Sequence, residues 1–259
     1  MIEIDKIYNE DCLVGMQRIS DKSIDAIICD LPYQVLHKKN KHVQWDRQLP
    51  FDALWQQYER IIKDNGPIIL FCQGLFTVDL ISSNRKLWKY NLVWDKERVT
   101  GFLNANRMPL RQHEDIAVFY KKLPPYHPQM RVVGSRDKKH DRERKIECKN
   151  SCYGGYLKQN KAATNEKFPT SIIHIPKEHH NGTFYHPTQK PVALLEYLIR
   201  TYSNPGELIL DNCIGSGTTA VAAINTQRHY LGFEMNKEYY YIACKRAKIA
   251  KENFQASLF

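Results

Sequence analysis

The stretch "LILDNCIGSGTTAVAAINT", Leu208 to Thr226, joins a short apolar strand to a helix of small residues through a turn that contains Gly215 and Gly217. "HYLGFEMN" at 229–236 has the pattern of the next strand. A strand, a tight turn, a helix and a further strand are the unit from which parallel sheets flanked by helices are built. This stretch therefore predicts an α/β fold.

The rest of the chain alternates in the same way. Strand patterns are "KIYN" (6–9), "SIDAIICD" (23–30), "PIILFC" (67–72), "KYNLVWDK" (89–96) and "EDIAVFYK" (114–121). Helical spacing occurs in "CLVGMQRI" (12–19), "FDALWQQYERIIK" (51–63), "KPVALLEYLIRTY" (190–202) and "KEYYYIACKRAKIAKEN" (237–253). We predict a doubly wound, Rossmann-like sheet in which the strands that end at Asp30 and Asp211 adjoin at the switch point.

The positive charge of the chain is concentrated in one segment. The formal net charge is +10, and residues 121–190 carry 15 Lys and Arg against 6 Asp and Glu. Such a field attracts polyanions, so the segment is either a nucleic-acid surface or a solvated, partly disordered insertion. Seven scattered cysteines predict reduced thiols, and the lack of a signal peptide or membrane span predicts a cytoplasmic protein.

The glycine turn after Asp211 favours a particular class of ligand. It lacks the third glycine of a dinucleotide site and the Gly-Lys-Ser/Thr of a P-loop, which argues against NAD and ATP. Thr218 and Thr219 begin a helix, whose N-terminus favours a carboxylate. Glu234 ends the next strand, where an acid can bind ribose hydroxyls. A ligand with a carboxylate and a ribose suggests S-adenosylmethionine, although a plain tight turn would have the same glycines.

The strand "IDAIICDLPYQ", 24–34, ends in groups that suit amine chemistry. The carboxylate of Asp30 and the carbonyl of Leu31 can accept hydrogen bonds from an exocyclic amine as it attacks a methyl donor. Pro32 stiffens the turn, and Tyr33 can stack on a base flipped out of a duplex. The alternative is a strand that ends in a proline turn, with Asp30 as a helix cap.

Four motifs taken together resemble a known family. "DLPY" (30–33), "HPTQKP" (186–191), "DNCIGSGTT" (211–219) and "GFEMN" (232–236) are similar to the DNA amino-methyltransferases of the permuted beta class. In that class the catalytic tetrapeptide comes first and the cofactor turn last, with a target-recognition region between them. The resemblance extends from "YNEDCL" at 8–13 to "CKRA" at 244–247.

The resemblance implies a role for each matching position. The implied catalytic residues are Asp30, Leu31, Pro32 and Tyr33. The implied S-adenosylmethionine contacts are Asp11, Cys12, Asp30, Thr188, Lys190, Asp211, Asn212, Cys213, Gly215, Ser216, Gly217, Thr218, Thr219, Glu234 and Met235. Two departures are Leu31 in place of a family proline and Asn212-Cys213 in place of Pro-Phe.

The basic clusters supply the expected DNA contacts. These are Lys38, Lys39, Lys41, Arg136, Lys138, Lys139, Arg142, Arg144 and Lys145. The expected organisation is a catalytic half at 1–121, a basic target-recognition region at 122–180 and a cofactor-binding half of the same domain at 181–259. No structural metal is expected, because the spacing of Cys148, Cys152, His179 and His180 matches no standard zinc site.

The resemblance implies an enzyme that methylates the N6 amine of adenine in double-stranded DNA, because Asp rather than Ser at position 30 is similar to the adenine-modifying members. Alternatives are an N4-cytosine enzyme, a DNA-binding protein that Leu31 and Cys213 leave catalytically weak, and an RNA-directed enzyme. A homodimer and a cognate restriction endonuclease are further partners to be considered, in the nucleoid of a prokaryotic or phage-infected cell, with no membrane partner.

Overall fold

A computed structural model describes residues 2–33, 48–132, 165–177 and 189–256. The strands among these residues are β1 (Lys6–Tyr8), β2 (Ala26–Asp30), β3 (Ile68–Cys72), β4 (Trp88–Thr100), β5 (Arg111–Phe119), β6 (Arg131–Val132), β7 (Glu166–Lys167), β8 (Ile172–His174), β9 (Leu208–Asp211) and β10 (His229–Phe233). The α-helices are α1 (Cys12–Met16), α2 (Phe51–Ile61), α3 (Leu75–Ser83), α4 (Val192–Tyr202), α5 (Thr218–Asn225) and α6 (Lys237–Ala256). A single 3₁₀ turn, Phe102–Asn104, follows β4 in this part of the chain.

Eight of the described strands form one sheet in the order β1-β10-β9-β2-β3-β5-β4-β8. β9 and β2 pair in parallel, with Ala26 opposite Ile209 and Ile27 opposite Leu210. The predicted α/β sheet and the predicted contact between these two strands are confirmed. Their carboxyl ends, Asp30 and Asp211, therefore lie at the same edge of the sheet.

Helices cover both faces of the sheet. On one face, α4, α5 and α6 share an apolar core with alternate strand residues such as Ala26 and Ile28. On the other face, α1, α2 and α3 pack on the intervening residues Ile27 and Cys29. Strands buried on both sides are continuous apolar runs, and this explains why "AIIC" at 26–29 lacks alternation.

Two features of the fold are not predicted by the sequence patterns. β5 pairs antiparallel with both β3 and β4, because β4 and β5 form a hairpin and not a crossover unit. No sequence pattern predicted helix α3, because its apolar residues lie on all sides of the helix. Phe76 and Leu80 are buried, whereas Leu75 and Val78 are exposed. A helix of this kind has no one-sided periodicity to detect.

The chain separates into two compact units. One unit comprises Met1–His127 and Ser171–Phe259 and includes the eight-stranded sheet. The other, Pro128–Thr170, contains the antiparallel pair β6 and β7, with Arg131 opposite Lys167. The division predicted at 122–180 remains a prediction.

Two further findings concern the described residues as a group. None of their helices combines the length and the apolar character that spanning a bilayer requires. Their cysteines, Cys12, Cys29, Cys72, Cys213 and Cys244, are all free thiols.

Candidate active site

A large cavity lies where β2 and β9 end. Its volume is about 1130 Å³, and its walls include Asp30 to Tyr33 on one side and Asp211 to Ser216 on the other. Both ends belong to the unit that contains the large sheet. The two predicted groups of residues, catalytic and cofactor-binding, thus border the same space.

Asp211 anchors the glycine turn from within. One of its carboxylate oxygens accepts a hydrogen bond from the Thr219 hydroxyl at 2.5 Å, and the other accepts the backbone N–H of Cys213 at 3.1 Å. Burial raises the pKa of Asp211 from 3.8 to about 6, and these hydrogen bonds oppose that rise. The main structural effect of the acid is to fix the turn between β9 and α5.

Gly215 and Gly217 have different structural reasons for being glycine. Both have positive φ, +55° and +83°, which other residues rarely adopt. A Cβ on Gly215 would meet no atom of the described residues within 4 Å, so among these residues the space beside this backbone is open to a ligand. A Cβ on Gly217 would lie 2.8 Å from Cα of Ala243 on α6. Gly217 does not line the cavity, and it permits the close packing of α5 against α6.

Glu234, which follows β10, is joined to the glycine turn. Its Oε2 accepts the backbone N–H of Gly215 at 3.0 Å, and its Oε1 accepts that of Asn236 at 2.7 Å. Burial raises the pKa of Glu234, although these hydrogen bonds lower it. Each oxygen retains a second acceptor site, which is what binding to a pair of ribose hydroxyls requires.

Of the other predicted cofactor residues, some line the cavity and others hold the residues that line it in place. Asp11 caps α1 by accepting the N–H of Leu13 at 2.7 Å, and it lines the cavity together with Cys12. Asn212 is buried, and its amide Nδ2 lies 3.6 Å from both the Cys12 and the Cys213 sulfurs. Asn212 thus joins β9 to α1 in the place that the resemblance assigns to a proline.

Ser216 is held by two residues that sequence reasoning did not assign. Its hydroxyl donates to Oε1 of Gln189 at 3.0 Å, while Arg246 of α6 donates to its carbonyl at 2.7 Å. Arg246 also donates to the Thr218 hydroxyl at 3.2 Å. The only signal for Arg246 in the sequence was its place in "CKRA".

Asp30 of the catalytic turn forms an ion pair with a buried lysine. Lys190, only 8% exposed, pairs with Oδ2 of Asp30, and Oδ1 of Asp30 accepts the Tyr33 hydroxyl at 2.5 Å. Burial raises the pKa of Asp30, and the charge of Lys190 opposes that rise. The Tyr33 ring packs on Phe76, with centroids 4.8 Å apart. Lys190, predicted as a cofactor contact, therefore acts directly on the predicted catalytic acid.

Glu114 extends this network and was missed from the sequence. Its Oε2 lies 3.2 Å from Lys190 Nζ, and its Oε1 lies 3.3 Å from Nζ of Lys96. Burial opposes ionisation of Glu114, but the two lysines lower its pKa overall. The available signal was the pair of acids, Glu114 and Asp115, directly before the apolar run "IAVF" at 116–119, since these two residues lie in β5 where its buried part begins.

Several predicted residues lie outside the described part of the chain. They are Lys38, Lys39, Lys41, Arg136, Lys138, Lys139, Arg142, Arg144, Lys145 and Thr188, together with the alternative zinc ligands Cys148, Cys152, His179 and His180. Within the described ranges, no group of three or more His, Cys, Asp or Glu side chains is arranged to hold a metal ion.

Comparison with known proteins gives consistent matches. A family model described as "DNA methylase" matches residues 24–245. The type II methyltransferase M1.MboII of Moraxella bovis is 30% identical over 270 residues, covering 92% of this chain and 95% of that protein. The DNA adenine methyltransferase YhdJ of Escherichia coli (strain K12) is 26% identical over 264 residues, covering 96% and 84%.

Solved structures share the fold. The crystal structure of an M1.HpyAVI-SAM complex has a TM-score of 0.62 at 24% identity and covers 93% of this chain and 98% of that one. The PvuII DNA methyltransferase, described as cytosine-N4-specific, has a TM-score of 0.63 at 16% identity, covering 96% and 91%.

Proposed function

This chain belongs to the DNA methylase family, and we propose that it transfers a methyl group from S-adenosylmethionine to the N6 amine of adenine in double-stranded DNA. The observation that carries the proposal is the shared cavity, in which Asp30 and the glycine turn around Gly215 face the same space. The transfer of a group between two bound molecules requires such a shared space.

The residues at the β9 edge fit S-adenosylmethionine. Gly215 leaves open space beside its backbone, and Glu234 retains acceptor sites for ribose hydroxyls. The cavity, at about 1130 Å³, exceeds the roughly 300–1,000 Å³ of ordinary ligand pockets, so it has room for a cofactor and a nucleobase together. When bound, S-adenosylmethionine supplies a methyl group activated by its positively charged sulfur.

Asp30 and Leu31 act on the amine that accepts the methyl group. The lone pair of an exocyclic amine is delocalised into the ring, so the amine is a poor nucleophile. The Asp30 carboxylate and the Leu31 carbonyl accept its two protons in hydrogen bonds, which stabilises positive charge as it develops on nitrogen. Lys190 and Tyr33 each hold one oxygen of Asp30, and thereby fix the orientation of that carboxylate.

Adenine is favoured over cytosine by two facts. The residue at position 30 is Asp, and the relative YhdJ is named as a DNA adenine methyltransferase. The structural similarity to a cytosine-N4-specific enzyme concerns the fold, because identity is 16%. The basic residues of 122–180 and of 38–41 are proposed as DNA contacts, and a homodimer or a cognate nuclease as further partners.

The test is nucleoside analysis after methylation. Purified protein is incubated with labelled S-adenosylmethionine and, in parallel, with unmethylated phage λ DNA or with structured RNA, and each nucleic acid is digested to nucleosides. We expect N6-methyladenine. Exclusive formation of N4-methylcytosine would assign the enzyme to the cytosine alternative. Label in the structured RNA but not in the DNA would assign it to the RNA-directed alternative. Long-read sequencing of the methylated DNA then identifies the recognition site.

A variant pair tests the role of Asp30. Asp30→Asn should lower the methylation rate by about 10²–10³-fold, the usual cost of losing one electrostatic contact to a transition state, while calorimetry shows retained cofactor binding. Asp52→Asn, at an exposed acid on α2, is the matched control and should be fully active. An Asp30→Asn variant as active as the control would refute the catalytic assignment.

A further inference from the structure

The tip of the β4–β5 hairpin exposes a group of large apolar side chains. All residues from 97 to 109 are exposed, and among them Phe102 is 77% and Leu103 is 82% accessible. Val99 and Met108 are also more than half exposed. Clustered apolar side chains of this kind on a soluble protein indicate a surface that becomes covered by a partner.

The hairpin tip lies at the rim of the active-site cavity. Thr100, Gly101 and Arg111, at the two ends of the hairpin loop, line the cavity wall. Phe102 directly follows Gly101 and begins the 3₁₀ turn. The exposed apolar group is therefore next to the space that receives the target base.

The backbone at the base of the tip is held in an uncommon conformation. Asp95 pairs with His113, but Thr100 pairs with Arg111, so four residues of β4 face a single residue of β5. Glu97 has a φ of +54°, and Oδ1 of Asp95 accepts its N–H at 2.9 Å. A non-glycine residue at positive φ persists only where its surroundings fix it, which indicates that this loop is positioned and not loose.

The charges around the tip match a polyanion. Arg98, Arg107 and Arg111 accompany one acid, Glu97, in residues 97–111. Arginines beside an apolar tip suit a duplex, whose phosphates flank its stacked bases. A symmetric contact between two copies of this chain would oppose the same positive charges, which disfavours that alternative.

We propose that Phe102 and Leu103 form a wedge that enters the duplex beside the target and occupies the space vacated by the flipped base. The inference rests on the proposed function. Proteins that kink DNA insert side chains of these two types between base steps, and burial of their apolar surface offsets the loss of stacking. The arginines nearby bind the adjacent phosphates and orient the tip.

The test compares a paired with a weakened substrate. The double variant Phe102→Ala, Leu103→Ala is assayed in single turnovers on a synthetic duplex with the sequenced recognition site, and on the same duplex with an abasic position opposite the target base. We expect a loss of about tenfold or more on the paired duplex and of less than about threefold on the abasic one, because the lesion removes most of the cost of flipping.

A matched control separates the wedge from a general apolar contact. Leu75 is 74% exposed and does not line the cavity, so Leu75→Ala should act as wild type on both duplexes. All variants alter exposed side chains and should retain the wild-type melting temperature. An unchanged rate of the double variant on the paired duplex, or an equal loss on both duplexes, would refute the wedge alone. A wild-type protein that methylates neither duplex would refute the proposed function, and the wedge with it.

Discussion

Replacing Lys190 with glutamine should uncouple the catalytic acid from the cation that keeps it ionised. Lys190 is buried, pairs with Asp30, and lies 3.2 Å from Oε2 of Glu114. Burial raises the pKa of Asp30, the Lys190 charge lowers it, and the Glu114 charge raises it. Without Lys190, the two effects that favour the protonated acid are opposed chiefly by the hydrogen bond from Tyr33.

The size of the effect follows from the burial of Lys190 and of most of the Asp30 side chain. Removing one partner of a buried ion pair costs about 3–5 kcal/mol, and protonation of Asp30 relieves part of that cost. Since one pKa unit corresponds to about 1.4 kcal/mol, the acidic limb of the activity profile should move up by about two pH units. A protonated Asp30 offers one acceptor fewer to the amine, so the rate at a pH on the acidic limb should fall by up to about 100-fold relative to wild type and recover as the pH rises.

The assay is the single-turnover methylation rate between about pH 5.5 and 9.5 at saturating cofactor, with the cofactor Kd measured in parallel. Saturation removes any effect of Lys190 on cofactor binding. Lys177→Gln is the control, because Lys177 is a partly buried lysine of the same cavity. The structure describes no ion pair between Lys177 and Asp30. A Lys190→Gln profile that is lowered equally at every pH would refute the reasoning.

Three further predictions concern the cofactor side. Gly217→Ala should destabilise the fold by about 2–4 kcal/mol in urea unfolding, because the new Cβ collides with Ala243 and position 217 has a positive φ. Gly215→Ala should cost only about 1–2 kcal/mol of stability, for its positive φ, and should chiefly weaken cofactor binding in calorimetry. Equal stability losses would contradict this distinction. The pKa of Asp211 is raised from 3.8 to about 6, so the folded state keeps a proton that the unfolded chain releases, and stability falls as pH rises through that window. Relative to wild type, Asp211→Asn should therefore gain about 3 kcal/mol in unfolding free energy between about pH 4 and pH 7, and a pH-independent difference would argue against a raised pKa. Glu234→Ala should leave two backbone N–H groups without their acceptor and so lower the unfolding free energy by about 1–3 kcal/mol. It should also reduce the affinity for the cofactor. An unchanged affinity would show that Glu234 does not bind the cofactor.

Much of the architecture was predictable because local sequence patterns reflect burial. The apolar runs that end at Asp30 and Asp211 could only be strands covered on both faces, and the small residues after Gly217 could only pack closely. Helix α3 was not predictable, because its burial depends on what it packs against rather than on its own pattern.

The sequence by itself determined the α/β fold and the two strand ends that carry the chemistry, because parallel strands with crossover helices bring their carboxyl ends to one edge of a sheet. Only the tertiary structure decided that Lys190 pairs with Asp30, 160 positions away, that Glu114 joins them, and that Gly217 packs while Gly215 faces open space. The insertion of β5 between β3 and β4 brings Glu114 opposite Trp94 and into this cavity. Such contacts depend on strand order and register between distant segments, and a local pattern of residues contains no information about either.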